Sequence, residues 1–250
     1  MELLDEKAKL RYTKLRSEIM KIRQALRYFS IFEWLLWGFS ALAVIFSYVL
    51  GGENYPLPLI ASLLGVTALI FIAKGNVAGQ FITVVFACLY AVVSIRYRYW
   101  GEMITYLFMS LPAALFSCVS WLKHPSKESK AEVEVSSLTK KTLALSLLFS
   151  LLATILFYFI LRYFHTPNLL LSTLSITTSF LASAFLFLRS RFYALAYAAN
   201  DIVLIGLWVL ASFDNIGNLP MAVCFLAFLL SDLYGFFNWK RIQIKQKKQE

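Results

Sequence analysis

Charged side chains are scarce in this chain of 250 residues. They make up 15% of it and include only 14 acidic residues, whereas about a quarter of the residues of a soluble domain are charged. Hydrophobic residues reach 60%, with 22 Phe, 13 Tyr and 6 Trp. A soluble fold of this length has too little interior to bury so much apolar surface. The composition therefore excludes a soluble protein and predicts an integral membrane protein.

The side chains that usually build catalytic and metal centres are few and scattered. The three cysteines, Cys88, Cys118 and Cys224, each lie inside an apolar stretch, so the sequence indicates neither a disulfide framework nor a zinc site. The two histidines have no cysteine or carboxylate at metal-ligand spacing, and a glycine-rich phosphate loop is absent. We expect no enzymatic activity, no metal and no cofactor.

Eight apolar stretches are long enough to cross a hydrocarbon core, which needs about 20 residues of helix. Charges or turn-forming residues such as Gly51 and Asn54 separate them. The stretches run over residues 31–50, 57–73, 78–97, 102–121, 141–164, 168–188, 192–212 and 218–239. The sequence thus predicts an all-α protein with eight transmembrane helices.

The basic residues fall on one side of the membrane if the chain begins in the cytoplasm. Of the 24 Lys and Arg residues, 21 then lie in cytoplasmic segments, and only Arg96, Arg98 and Arg162 lie outside. This asymmetry follows the positive-inside rule, and it accounts for the net charge of +10 without any nucleic acid. We expect a multi-pass protein with both termini in the cytoplasm.

The first thirty residues are dense in charge and lack the early apolar region of a signal peptide. Apolar side chains recur there at helical spacing, at Leu15, Ile19, Ile22, Leu26 and Phe29. We expect residues 1–30 to form a cytoplasmic amphipathic helix on the anionic inner leaflet. A site for a regulatory partner is the alternative. Residues 240–250 are expected to form a cytoplasmic tail.

Two predicted helices end alike, with a small residue four positions before a tryptophan and basic residues after it. The tryptophans are Trp121 and Trp239, which are 118 positions apart, and the same offset relates Tyr90 to Trp208. This similarity indicates an internal repeat, in which Tyr90 is the counterpart of Trp208. Trp239 and its neighbour Asn238 are expected to lie as anchors at the membrane interface.

The repeat divides the predicted helices into two triplets, residues 57–121 and residues 168–239. A cytoplasmic linker and a connecting helix, residues 122–164, join them, and residues 31–50 form an extra N-terminal span. Each triplet crosses the membrane three times, so two directly adjacent triplets would have opposite orientations. The connecting helix adds one crossing, and the second triplet therefore has the same orientation as the first. This predicts a parallel 3+1+3 repeat like that of SWEET transporters, with a substrate site near the membrane midplane.

Short motifs along residues 31–241 resemble those of the Pnu family of bacterial vitamin transporters. Their order and spacing carry the resemblance, and it implies the same 3+1+3 core. The motifs are Ala73-Lys-Gly75, Leu89-Tyr90-Ala91, Tyr99-Trp-Gly-Glu102, Pro112 to Trp121-Leu-Lys123, Asn200-Asp201 with Trp208, and Asp232-Leu-Tyr-Gly-Phe-Phe-Asn-Trp239.

The resemblance implies transport of a nicotinamide riboside-like vitamin precursor or nucleoside across the bacterial cytoplasmic membrane. The expected mechanism is facilitated diffusion, followed by trapping through phosphorylation by a cytoplasmic kinase, and the expected assembly is a homotrimer. Many members carry a tryptophan pair that is associated with binding the nucleoside, and the matching positions here are Ala194 and Tyr197. This departure leaves deoxynucleosides, riboflavin and thiamine open as substrates. A membrane-embedded enzyme or a scaffold protein is the alternative from another class.

Polar residues inside the predicted spans are the candidate substrate ligands, because such residues are costly in a membrane and usually face a cavity or a partner. Asp201 lies near the middle of its span, beside Asn200. The two are expected to bind substrate hydroxyl groups or to lie beside a positive charge, with Tyr197 and Trp208 as aromatic faces for a cation. A structural hydrogen bond between helices is the alternative.

Three further residues complete the candidate site. Asp232 lies on the inner half of the last span and is expected either to line the cavity or to pair with a neighbouring helix. Gln80 and Tyr90 are the candidates in the first triplet, although a tyrosine in a helix often only packs. Pro112 lies in the middle of a span and predicts a kink, either as a hinge or as a static feature.

Overall fold

The computed structural model describes residues 16, 28–50, 55–96, 100–127, 129–166, 168–214 and 219–249. The amphipathic helix predicted over residues 1–30 lies almost wholly outside them. The chain divides into two compact units, Met1–Gly38 and Phe39–Glu250. In the first unit, a reciprocal capping pair starts a helix at Ile31: the Ser30 N–H donates to Glu33 Oε2 over 2.6 Å, and the Glu33 N–H donates to the Ser30 hydroxyl over 3.2 Å.

The described residues form helices and contain no strand. Their bounds follow the apolar stretches of the sequence closely, as expected when backbone groups in a membrane must bond within their own segment. The helices are α1 (Ile31–Leu50), α2 (Leu57–Ala73), α3 (Ala78–Arg96), α4 (Trp100–Thr105), α5 (Leu111–Lys123), α6 (Lys140–Tyr163), α7 (Leu169–Phe187), α8 (Phe192–Asp214) and α9 (Leu219–Lys247).

Seven helical stretches of the described chain are long and apolar enough to cross a membrane, and α2 is a shorter apolar helix. The prediction of an all-α integral membrane protein is confirmed, while the count of eight spans stays a prediction. The last helix is longer than predicted. It continues from Trp239 to Lys247 through polar residues, because side chains such as Gln246 bond to the linker between the triplets.

The predicted helix over residues 102–121 is interrupted by a π-helical segment, Tyr106–Ser110, between α4 and α5. The Leu111 N–H there donates to the carbonyl of Tyr106, five residues earlier. Pro112 follows directly. It lacks an N–H, and its ring crowds the preceding turn, so a helix that contains it must give up its regular bonding locally. The irregularity predicted from Pro112 is therefore present as a π-helical bulge.

In the unit of residues 39–250, the helices form two triplets that pack in the same way. Helix α3 packs on both α2 and α5, and helix α8 packs on both α7 and α9. Between the triplets, α9 packs on α2 and α5 packs on α7, while α6 packs on α7. The third helix of each triplet thus contacts the first helix of the other. These reciprocal contacts between the two triplets support the predicted parallel repeat.

Matching turns join the first two helices of each triplet. Gly75 and Arg189 occupy the same place in these turns, with positive φ angles of 67° and 57°. Their N–H groups donate to the carbonyls of Ile72 and Leu186, at 2.8 and 3.0 Å. The conformation is open to glycine and strained for arginine. The matched turn residues are 114 positions apart, whereas the matched tryptophans are 118 positions apart.

The two tryptophans of the repeat bond to these same carbonyls, each across to the other triplet. The indole N–H of Trp239 donates to Ile72 O over 2.8 Å, and that of Trp121 donates to Leu186 O over 3.1 Å. The rings lie 5.4 Å apart, and both are almost completely buried. The prediction of an interfacial anchor at Trp239 is therefore wrong, because the indole finds its hydrogen-bond acceptor inside the protein. Asn238 likewise donates to a backbone carbonyl, that of Ala73, over 2.9 Å.

The polar linker between the triplets is tied to both turns. The Val133 N–H donates to Gly75 O and the Ser136 N–H donates to Arg189 O, each over 2.9 Å. Gln246 of α9 bonds to the linker with both amide atoms, accepting from the Val135 N–H at 2.9 Å and donating to Val133 O at 3.1 Å. The linker is thus part of the folded unit.

The turns at 74–77 and 188–191, the linker and the last part of α9 lie together at one end of this unit. We call it the basic end, because Lys123, Lys140 and Lys141 lie there together with the lysines of the C-terminal segment. Its core consists of the two tryptophans together with aliphatic and aromatic side chains from the turns, the linker and α8.

Candidate functional site

Two buried aspartates face each other between α8 and α9. Asp201 and Asp232 are only 4% and 5% exposed, and a side-chain hydrogen bond joins them. Two carboxyl groups at such close range repel each other when both are ionised, so sharing one proton, and with it one negative charge, is the favoured arrangement. The Oδ2 atom of Asp201 is buried and has no hydrogen-bond partner. The pair therefore places two carboxyl groups inside the bundle, where a cation or a hydroxyl group can bind.

Two tyrosines extend from the aspartate pair along the same face of α8. Tyr193, Tyr197 and Asp201 follow each other at intervals of four residues, which places them on one side of a helix. The two tyrosine rings lie 6.3 Å apart, edge to face. The Tyr197 hydroxyl shares a hydrogen bond of 3.0 Å with the Ser183 hydroxyl of α7. Charge on Asp232 acts on both tyrosines, so these side chains form one cluster.

Tyr193 was not among the candidates from the sequence. A Cβ atom at Gly235 would lie 2.9 Å from its hydroxyl oxygen, so the glycine lets α9 approach this ring. The other edge of Tyr193 packs on Trp239, with ring centroids 4.7 Å apart. The spacing of four residues before Tyr197 could have identified it. Tyr193 rather than Ala194 is thus the aromatic neighbour of Tyr197 one turn away.

Asn200 faces α7 rather than the aspartate pair. Its Oδ1 atom accepts a hydrogen bond of 2.9 Å from the Thr178 hydroxyl, and the residue is buried. This contact is the bond between helices that the sequence left open as an alternative. Cys224 of α9 lies within the electrostatic reach of Asp201. Asn200 therefore helps to fix α8 on α7, next to the cluster.

The first triplet contains a buried amide without partners. Gln80 of α3 is 0% exposed, and neither Nε2 nor Oε1 makes a hydrogen bond. The hydroxyl of Ser117, on the neighbouring helix α5, is also buried and unpaired. Such groups are costly unless a ligand or water satisfies them. Gln80 is thus available for a polar ligand.

An aromatic group lies farther along α3. The ring of Tyr90 packs on that of Tyr106 with centroids 4.2 Å apart, and Phe86 contacts both at 5.6 and 5.8 Å. Tyr106 belongs to the π-helical segment, so the bulge helps to bring its ring to Tyr90. Trp208 lies seven residues beyond Asp201 on α8, about 10 Å along the axis, and is half-buried. No ring contact joins it to the other candidates in the described part of the chain.

The structure thus brings together Tyr197, Asp201 and Asp232, and it leaves Trp208 apart from them. The offset of 118 that paired Tyr90 with Trp208 holds at the tryptophans but not in the middle helices. In the middle helices the matched turns give an offset of 114, so the counterpart of Tyr90 in the second triplet is Leu204. Among the described residues, no three His, Cys, Asp or Glu side chains come together as a metal site would require.

Comparison with known proteins gives consistent results. Residues 55–241 match the family model described as nicotinamide mononucleotide transporter. The chain is 26% identical over 213 residues to the nicotinamide riboside transporter PnuC of Neisseria mucosa, covering 84% of this chain and 80% of that one. It is 25% identical to the protein of the same name from Haemophilus influenzae, covering 80% and 86%. The fold resembles the crystal structure of the vitamin B3 transporter PnuC with a TM-score of 0.72 and 23% identity, over 87% of this chain and 94% of that one.

Proposed function

The chain belongs to the nicotinamide mononucleotide transporter family, and from this premise we propose that it carries nicotinamide riboside across the membrane. The relatives it matches are named as transporters of that compound. Nicotinamide riboside is a nucleoside whose pyridinium ring has one positive charge. The observation that carries the proposal is the buried aspartate pair, which supplies one negative charge inside the bundle.

The side chains around the pair favour a nucleoside over a nucleotide. Asp201 and Asp232 would repel a phosphate group, which proteins usually hold with arginine, lysine or a helix N-terminus. The neighbours of the pair are Tyr193, Tyr197 and Cys224, and none is basic. The riboside therefore fits this cluster better than the mononucleotide named in the family description.

The remaining candidates have roles that suit the parts of this substrate. Tyr197 and Tyr193 present aromatic rings beside a negative charge, an arrangement that attracts a flat cation. The free Oδ2 atom of Asp201 can accept a hydrogen bond from a ribose hydroxyl. The unpaired amide of Gln80 can both donate to and accept from a carboxamide. Tyr90 and Trp208 are assigned to the wall of the pathway, outside this cluster.

The proposed orientation of the chain in the membrane rests on the distribution of charge. We place both termini and the basic end in the cytoplasm of a bacterium, because 21 of the 24 basic residues then lie there. Transport is proposed to be facilitated diffusion. Phosphorylation by a cytoplasmic kinase would trap the substrate, and the assembly is proposed to be a homotrimer. Deoxynucleosides, riboflavin and thiamine are the alternative substrates.

The proposal is tested by uptake into liposomes with two substrates that differ in charge. Nicotinamide riboside is a cation, and its dihydro form is neutral with nearly the same shape. The double substitution Asp201→Asn with Asp232→Asn removes the charge and preserves the shape. We expect it to raise the KM for the cation by about tenfold to a hundredfold, since hydrogen bonds to charged groups contribute about 1.5–3 kcal/mol. The KM for the neutral form is expected to change less than about threefold on the same grounds.

Each single substitution should have a smaller effect. The new amide can donate to the remaining carboxylate, which then keeps the negative charge. Glu134→Gln, at an exposed carboxylate of the linker, is the control and should leave both substrates unaffected. Equal loss of both substrates in the double variant, or loss of neither, would contradict recognition of charge by this pair. Thermal stabilisation of the wild type by deoxynucleosides, riboflavin or thiamine, but not by nicotinamide riboside, would contradict the choice of substrate.

A further inference from the structure

A cavity of about 590 Å³ lies between α5, α6 and α7, separate from the aspartate pair. Its walls are mainly apolar and aromatic and include Phe116, Phe149, Phe157 and Phe180. Along α6 the lining residues extend from Thr142 to Phe157, about 22 Å at the rise of an α-helix. That length is more than half of the hydrocarbon core of a bilayer, which is about 30 Å thick. The cavity is therefore long and narrow, and it runs along the helices.

Two lysines lie next to the cavity at the basic end. Lys123 follows the lining residue Phe116 by seven positions and so continues the cavity-facing stripe of α5, and Lys141 directly precedes Thr142, the first lining residue of α6. Both lysines are exposed, and no carboxylate of the described residues pairs with either of them. The apolar cavity thus ends at two free positive charges.

A hydrogen bond joins two of the helices around the cavity at this end. The hydroxyl of Ser120, on α5, donates to the carbonyl of Phe187, at the end of α7, over 2.9 Å. The lining carries no charged side chain, so the charged part of an occupant would lie at the lysines. A long apolar cavity with lysines beside one end, at a membrane surface, has the features of a phospholipid site.

We propose that this cavity binds an anionic phospholipid, with one acyl chain between α5, α6 and α7 and the phosphate between Lys123 and Lys141. The apolar walls match the acyl chain, and the cavity is longer than the hydrocarbon depth of one leaflet, which is about 15 Å. The lysines match the headgroup in charge and position. The cavity borders the substrate cluster at Ser183, which lines it and shares a hydrogen bond with Tyr197, but the proposed lipid contacts use neither aspartate and do not rest on the proposed function.

Native mass spectrometry of the purified full-length protein tests the proposal, with phosphatidylglycerol and phosphatidylcholine added at equal concentration. We expect one phosphatidylglycerol to bind each chain at least about tenfold more tightly than phosphatidylcholine, since each lysine near an anionic surface contributes on the order of a fivefold change in affinity. Replacing both lysines, Lys123→Gln with Lys141→Gln, should remove this preference and leave binding of phosphatidylcholine unchanged. The matched control is Lys240→Gln with Lys247→Gln, which removes two exposed charges of α9 outside the cavity.

A second pair of variants tests the acyl chain. Ala153→Trp fills the cavity from α6, whereas Leu152→Trp adds the same ring at the neighbouring position, which is exposed and outside the lining. Only Ala153→Trp should abolish the bound phosphatidylglycerol. If that variant does not fold, Ala113→Phe on the opposite wall carries the same expectation. Equal binding of the two lipids, or an unchanged lipid adduct in the filled cavity, would overturn the proposal. Conversion of a wild-type oligomer to monomers by Ala153→Trp, without loss of lipid, would assign the cavity to a second copy of the chain.

Discussion

Replacing Trp239 by phenylalanine should weaken the contact between the two triplets by a predictable amount. The substitution removes the hydrogen bond to the Ile72 carbonyl, at 2.8 Å. That carbonyl keeps the N–H of Gly75, also at 2.8 Å, so it does not become an unpaired buried acceptor. The lost bond should therefore contribute about 1 kcal/mol, and the smaller ring should contribute a loss of up to about 1 kcal/mol more.

The measurement is thermal unfolding of the purified protein in detergent. A change of about 1–2 kcal/mol corresponds to a fall in Tm of about 2–8 °C for a chain of this size. Trp208→Phe is the control, because that indole is half-buried and makes no hydrogen bond to the described residues. If Trp239→Phe lowers the Tm no more than Trp208→Phe does, the reciprocal indole bonds do not stabilise the unit.

A double-mutant cycle with Trp121→Phe separates the two parts of this effect. The two indoles bond to different carbonyls, so the hydrogen-bond terms should add. The rings also contact each other at 5.4 Å, and aromatic pairs of this kind contribute about 0.5–1.5 kcal/mol. The double variant should therefore lose less stability than the sum of the single variants by up to that amount. Strict additivity would show that the ring contact contributes nothing.

Two other predictions follow from close contacts. Gly235→Ala should lower the stability by about 1–3 kcal/mol, because the new Cβ would lie 2.9 Å from the Tyr193 hydroxyl. Gly206→Ala should raise the stability by up to about 1 kcal/mol, because the new Cβ there meets nothing within 4 Å. Thermal unfolding of both variants checks the difference in sign. Gln246→Ala removes two hydrogen bonds to the linker. It should accelerate hydrogen exchange by at least about tenfold at Val135, whose N–H donates to Gln246, while exchange in α8 stays unchanged.

The membrane helices could be predicted from the sequence because span length and hydrophobicity decide them. The resemblance to the Pnu family is confirmed as well. The end of α9 could not be located, since its last residues are polar and remain helical only through partners in the linker. The burial of Trp239 was missed for a similar reason. An indole near a basic segment usually marks an interface, and the acceptor that draws it inward belongs to a helix 167 positions away.

Most members of the candidate cluster could be selected from the sequence, but Tyr193 was missed and the cluster itself was not predicted. Asp201 and Asp232 each attract notice as ionisable residues within spans. Their pairing has a signal too, because Asp201 lies 13 residues before the end of α8 and Asp232 lies 13 residues after the start of α9, so both lie at the same depth. The register of the repeat could not be read, since the third helices are offset by four residues relative to the first two. Moving the alignment of two helices by four residues leaves the same side of the helix facing the bundle, but it changes which residues of the two triplets correspond.

The paired indoles also oppose any opening at the basic end. A solute that leaves the bundle between the triplets has to part Trp121 from Trp239, and neither can leave its carbonyl without losing the ring contact with the other. Two hydrogen bonds and one aromatic contact together amount to about 3 kcal/mol. By itself that energy would limit the separated form to at most on the order of one molecule in a hundred, and the bonds to the linker would lower this fraction further. Substitutions that weaken the indole contacts should shift the balance toward separation.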